Sequence, residues 1–181
     1  IGGYVFAACN KLTSVTLGGN LTSISYNAFY GCDLLQTIEI PDSVTTIDNS
    51  AFYECVSLSS VTMGNRVISI GYNAFGGCSN LSSIEIPRSV TRIGDCAFEG
   101  CSSLVSIAIP LSVTEIGKGA FKGCGNLASI EISPSVTQIG ANAFSECSSL
   151  VSIEIPPSVI EIGKGTFEGC GSLASIKIPP S

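Results

Sequence analysis

Between Leu104 and Cys124 the chain carries a short pattern of apolar and polar positions. Leu104, Ile107 and Ile109 follow the spacing L-x-x-I-x-I. From Ser106 the order is outward Ser106, inward Ile107, outward Ala108, inward Ile109, and this period of two predicts a strand with one buried face. Pro110 offers no N–H to a ladder and ends the strand. A second short extended piece follows, with Val113 and Ile116 turned inward. Gly117 begins a turn, and Ala120-Phe121 are expected in a brief helical or 3₁₀ segment that returns the chain to Cys124.

The same pattern recurs every 23 residues. Eight phenylalanines, from Phe6 to Phe167, stand 23 apart, and a cysteine follows each by three positions. Leucine fills its place in every unit from Leu12 to Leu173, and isoleucine recurs before the turn from Ile24 to Ile162. Such regularity predicts a β-rich α/β solenoid, one small unit stacked many times with each coil burying its apolar side against its neighbours. Burial of each larger side chain contributes roughly 1.5–3 kcal/mol. Gly71, Gly94, Gly117, Gly140 and Gly163 share one position, where a left-handed backbone is expected. Gly18, Gly64 and Ser133 interrupt the proline position, so those three units are expected to leave the strand differently.

The run L-x-x-I-x-I-P-x-S-V-T-x-I-G-x-x-A-F-x-G-C resembles the BspA-like class of leucine-rich repeats, and the match extends over nearly the whole chain. Val5 and Thr166 depart from it, standing where other units have alanine before the phenylalanine. The resemblance implies a leucine-rich-repeat horseshoe with a parallel sheet on the concave side. Short second strands or helical turns would lie on the convex side. The repeat itself predicts a single solenoid over residues 1–181, with about seven full coils and partial repeats at both ends, expected to be a segment of a longer protein. Relatives of this class are mostly cell-surface or secreted proteins, several of which adhere to host matrix proteins or other cells.

Composition narrows the chemistry. Hydrophobic residues make up 45% of the chain and charged residues 12%, which suits a continuous core rather than disorder. No apolar run approaches the ~18 residues needed to span a membrane, so direct insertion is not expected. The net charge of −6 disfavours nucleic acid and anionic lipid, whose phosphates need clustered Lys and Arg. Histidine is absent, which removes Ser-His-Asp and Cys-His catalysis and every histidine metal site. Eight of the nine cysteines occupy one repeat position, and stacking directs them all the same way into the core. They read as a ladder of small buried fillers rather than disulfides or zinc ligands. Cys96 stands apart, replacing Asn, Gly or Ser in its column, and is expected to be a lone exposed or half-buried thiol. No cofactor or metal is implied, and the four aspartates form no ladder.

Two stripes point outward from the predicted strands. The first is entirely hydroxyl, and within it Thr37, Ser60, Ser83, Ser106, Ser129 and Ser152 are candidate contacts. The second supplies Glu39, Thr62, Glu85, Glu131, Glu154 and Lys177. Short hydroxyls lose little side-chain entropy when a partner docks, so this face is the candidate site for a protein or glycan, such as host matrix or another cell. Glu131 and Glu154 could approach to about 5 Å as ladder neighbours, the separation used by retaining glycosidases. They lack an apolar wall or a third polar group, and Lys177 beside Glu154 suggests charge balancing. The expected function is a non-enzymatic adhesion module, and the alternative is a spacer that binds nothing. Asn20 and Asn80 begin glycosylation sequons, and uncapped coil ends predict end-to-end self-association.

Overall fold

The computed structural model describes residues 1–178 and shows a parallel β-solenoid of about seven turns. Each coil contributes two short strands. The L-x-x-I-x-I segments form the first set: β2 (Thr37–Ile40), β4 (Ser60–Met63), β6 (Ser83–Ile84), β8 (Ser106–Ala108), β10 (Ser129–Glu131), β12 (Ser152–Glu154) and β14 (Ser175–Lys177). The second set is shorter: β1 (Ser23–Ile24), β3 (Thr46–Ile47), β5 (Ser69–Ile70), β7 (Arg92–Ile93), β9 (Glu115–Ile116), β11 (Gln138–Ile139) and β13 (Glu161–Ile162). Pairing is parallel throughout and offset by one repeat, as in Ile38↔Val61 and Ile70↔Ile93. The sequence periodicity therefore sets the register directly.

The two ladders differ in continuity. The second runs unbroken through all seven of its strands. The first falls into three pieces, β2-β4-β6, β8-β10 and β12-β14, separated by seams between β6 and β8 and between β10 and β12. Ile109 and Ile155 donate their N–H groups to Glu131 O and Lys177 O of the next coil, whereas Ile86 and Ile132, which face the seams, make no corresponding bond. Ile84, Ile86, Ile130 and Ile132 retain 6–9% exposure, as does Val61 at 7% away from the seams, against 1–5% for Ile38, Ile40, Ile107, Ile109, Ile153 and Ile155.

Phenylalanine stacking fixes the interior. Consecutive rings from Phe6 to Phe167 lie 5.2–5.8 Å apart and within 14° of parallel. Rings from Phe29 to Phe144 are fully buried. Beside them runs the thiol column, buried from Cys32 to Cys147. These thiols are more than fillers: each Sγ donates to the phenylalanine carbonyl one coil back, as Cys101 does to Phe75 O and Cys124 to Phe98 O at 3.2 Å. The small thiol thus satisfies a buried acceptor that a methyl group would leave to its local bond alone.

No helix occurs among the described residues, so the expected helical segment at Ala120-Phe121 is a run of turns instead. Two columns of left-handed residues account for this. Asn27, Ser50, Asn73, Cys96, Gly119, Asn142 and Gly165 form the first, and Gly31, Glu54, Gly77, Gly100, Gly123, Glu146 and Gly169 the second, with φ between 51° and 74°. Left-handed residues four apart prevent a helix and aim every second N–H along the solenoid axis. Phe98 N–H accordingly donates to Ala120 O of the next coil, while Glu99 N–H bonds back to Cys96 O.

The glycines from Gly71 to Gly163 do not adopt the expected left-handed conformation. Close approach is their reason for being glycine. Gly117 N–H continues the second ladder to Ile93 O, and a Cβ there would lie 2.6 Å from the backbone of Asp95. Gly94 and Gly140 meet the same restriction, at 2.7 and 2.6 Å. At Gly64 and Ser133 the turn after the strand is kept, with Ser133 Oγ also accepting from Ser135 N–H, while among the described residues no strand precedes Gly18 in the first unit. The turn bond made by Val113 N–H to Pro110 O recurs as Val67 to Gly64, Val136 to Ser133 and Leu21 to Gly18. That turn needs only a carbonyl at its first position, so proline is dispensable.

Candidate functional site

The strand alternation sends every second residue of the first ladder into solvent. Thr37 and Glu39 of β2, Ser60 and Thr62 of β4, and Ser83 of β6 are exposed, as is Glu85 just beyond β6. So are Ser106 of β8, Ser129 and Glu131 of β10, Ser152 and Glu154 of β12, and Lys177 of β14. Register brings Thr37, Ser60 and Ser83 side by side, pairs Ser106 with Ser129, and sets Glu131 beside Ala108. The seams interrupt the ladder pairing of Ser83 with Ser106 and of Ser129 with Ser152, while the strands on either side remain neighbours.

Glu131 and Glu154 stand on strands that no ladder joins, on opposite sides of the second seam. Glu154 Oε1 instead accepts a hydrogen bond from Lys177 Nζ, in an ion pair whose side chains are both well exposed. An exposed pair of this kind contributes about 0–1 kcal/mol, so it balances charge rather than locking the coils.

The first seam opens into a groove of about 780 Å³. Ser60, Ser83, Glu85 and Ser106 line it, joined by Asn65 and Arg88, which the stripes do not include. Both belong to the column after the proline position, which holds Asp42, Asn65, Arg88, Leu111, Pro134 and Pro157. Their side-chain variety, against the near-constancy of the columns around them, is the signal that marks this place. Glu85 and Arg88 give the groove one acidic and one basic group, while Ile84, Ile86 and Ile107 add apolar surface. The outcome is a shallow amphipathic trough along a hydroxyl-rich face. No group of three or more His, Cys, Asp or Glu side chains able to hold a metal gathers among the described residues.

Other features fall elsewhere. Cys96 is half-buried beside Glu99, and burial together with that carboxylate pushes its thiol up to about 12. Burial likewise pushes Cys78 up to about 12. Asn20 and Asn80 lie on exposed turns. At the N-terminal coil, Ile1, Val5, Phe6, Val15, Leu17 and Leu21 line an apolar trough of about 680 Å³.

The profile of the BspA type leucine rich repeat region matches residues 1–92 and 68–181, in six copies. The chain belongs to that family. A leucine-rich repeat protein from Bacteroides ovatus shares 35% identity at a TM-score of 0.84, covering 88% of this chain and 41% of its own. A leucine rich cell surface protein from Faecalibacterium prausnitzii is 35% identical at a TM-score of 0.77, with 91% of this chain and 45% of its own covered. A leucine rich repeat protein of T. pallidum is 36% identical at a TM-score of 0.76, over 78% and 68%. The chain thus spans less than half the length of the first two. A search of curated proteins found no match.

Proposed function

We propose that this BspA-type repeat is a non-enzymatic interaction module of a cell-surface or secreted protein. Its first-ladder face is the concave side of the solenoid and meets a protein or glycan. The groove at the β6–β8 seam carries this reading, because it gathers hydroxyls, a carboxylate and a guanidinium over apolar surface on an otherwise smooth face. Interfaces commonly combine an apolar centre with a polar rim. The surface name of the Faecalibacterium relative agrees with exposure to other cells or matrix.

Charge reversal at the groove tests the proposal. Glu85→Lys with Arg88→Glu keeps the net charge and changes two exposed side chains, so stability should shift by no more than about 0.5 kcal/mol. Adhesion to immobilised matrix proteins or cells should fall at least about tenfold if the groove is central to the contact. Undiminished adhesion would remove the groove from the account. The regularity of the second ladder favours the spacer reading instead. A chain that binds no matrix protein, cell or glycan would favour it.

A further inference from the structure

All five tyrosines fall between positions 4 and 72, and all stand on the turns, away from the first-ladder face. Beyond residue 72 the columns of Tyr26 and Tyr30 hold no further tyrosine, and residues such as Asp95, Lys118, Glu99 and Lys122 take their places. Tyr30 and Tyr53 stack at 5.7 Å and 22°. The Glu54 carboxylate lies beside both: its charge is the main cause that raises Tyr30, and it adds to burial in raising Tyr53. Leu34 and Val56, on the same corner of these coils, are 46% and 39% exposed where later coils place serine, asparagine or glycine.

Charge shows what this corner lacks. Further along the column of Tyr30 and Tyr53, Glu99 is paired with Lys122 at 3.4 Å. Glu54 has no such cation among the described residues. Residues 1–72 carry two basic side chains, Lys11 and Arg66, against five acidic ones, and neither forms an ion pair with Glu54. An aromatic pair with an unpaired carboxylate and exposed aliphatic neighbours is complementary to an arginine, which stacks on rings and pairs with carboxylates through one planar group.

We propose that the corner formed by Tyr30, Tyr53, Glu54, Leu34 and Val56 docks a basic, arginine-bearing segment of a partner protein. The guanidinium pairs with Glu54 against the tyrosines, and apolar parts of the segment cover Leu34 and Val56. This contact is independent of the seam groove.

The chain has no tryptophan, so its intrinsic fluorescence arises on this turn face and reports binding directly. Titration of the 181-residue chain with an octa-arginine peptide should give a saturable change in tyrosine fluorescence. Octa-lysine should bind several-fold more weakly, because it cannot stack. Glu54→Gln should weaken octa-arginine at least about fivefold, and Tyr30→Ser with Tyr53→Ser about tenfold or more, while Glu131→Gln should leave it unchanged. Equal losses in Glu54→Gln and Glu131→Gln would reduce the effect to bulk charge and overturn the proposal. So would a response to cellohexaose in place of octa-arginine, which would make the corner a glycan site.

Discussion

The second ladder is built from strands of only two residues yet continues through seven coils, whereas the first has strands of up to four residues and breaks twice. Strand length therefore does not decide continuity here. Glycines from Gly71 to Gly163 let the backbones of successive coils approach along the second ladder, and each donates a further axial bond, which Asp48 also makes to Ile24 O in the first coils. The first ladder has exposed side chains on its outer face and no comparable glycine column. One side of the coil acts as a closely packed spine, and the other loses ladder hydrogen bonds at two seams and forms a groove at the first without disturbing the phenylalanine and thiol columns between them.

The largest expected effect comes from removing what both ladders share. Phe98→Ala should cost on the order of 3–5 kcal/mol in chemical denaturation, since the ring is fully buried between two others. A melt indistinguishable from the parent would show that the aromatic column is not the support of the ladders. Gly117→Ala sharpens the contrast between the two sides. With its Cβ 2.6 Å from backbone, it should cost about 1–3 kcal/mol. The exposed first-ladder substitution Ser106→Ala should stay within about 0.5 kcal/mol. Equal losses at the two sites would erase the distinction between spine and face. Opposite in sign, Glu146→Gly relieves a left-handed residue with φ of 62°. A gain of up to about 1 kcal/mol is expected after the added unfolded-state freedom of glycine is subtracted. A loss there would mean the carboxylate makes a contact that outweighs backbone strain.

Much of this arrangement is legible in the sequence because it is written many times over. The leucine, isoleucine, phenylalanine and cysteine columns set register, core and the family, and alternation around Ser106–Ile109 identifies the exposed stripes. Local backbone was harder to read. Glycine at position 117 signals close approach, while the left-handed columns announce themselves through Asn27, Asn73 and Asn142 as much as through glycine. The left-handed conformation in those columns, whichever residue fills them, is also what rules out a helical turn. The seams are not written in any one column, since the units on either side of β6 and β8 have nearly the same strand residues. Arg88 escaped the stripe pattern because it lies in a turn, one residue beyond the proline position.

Hydrogen exchange resolved to single amides tests the parted-face claim most directly. The amides of Ile109 and Ile155, bonded across the first ladder, and those of Gly94 and Gly140, bonded across the second, should be strongly protected. Ile86 and Ile132 at the seams should exchange at least about tenfold faster than Ile109 and Ile155, reflecting the missing ladder bonds. Equal protection at all four isoleucines would mean that the first ladder is closed from end to end, and that the groove does not exist in solution.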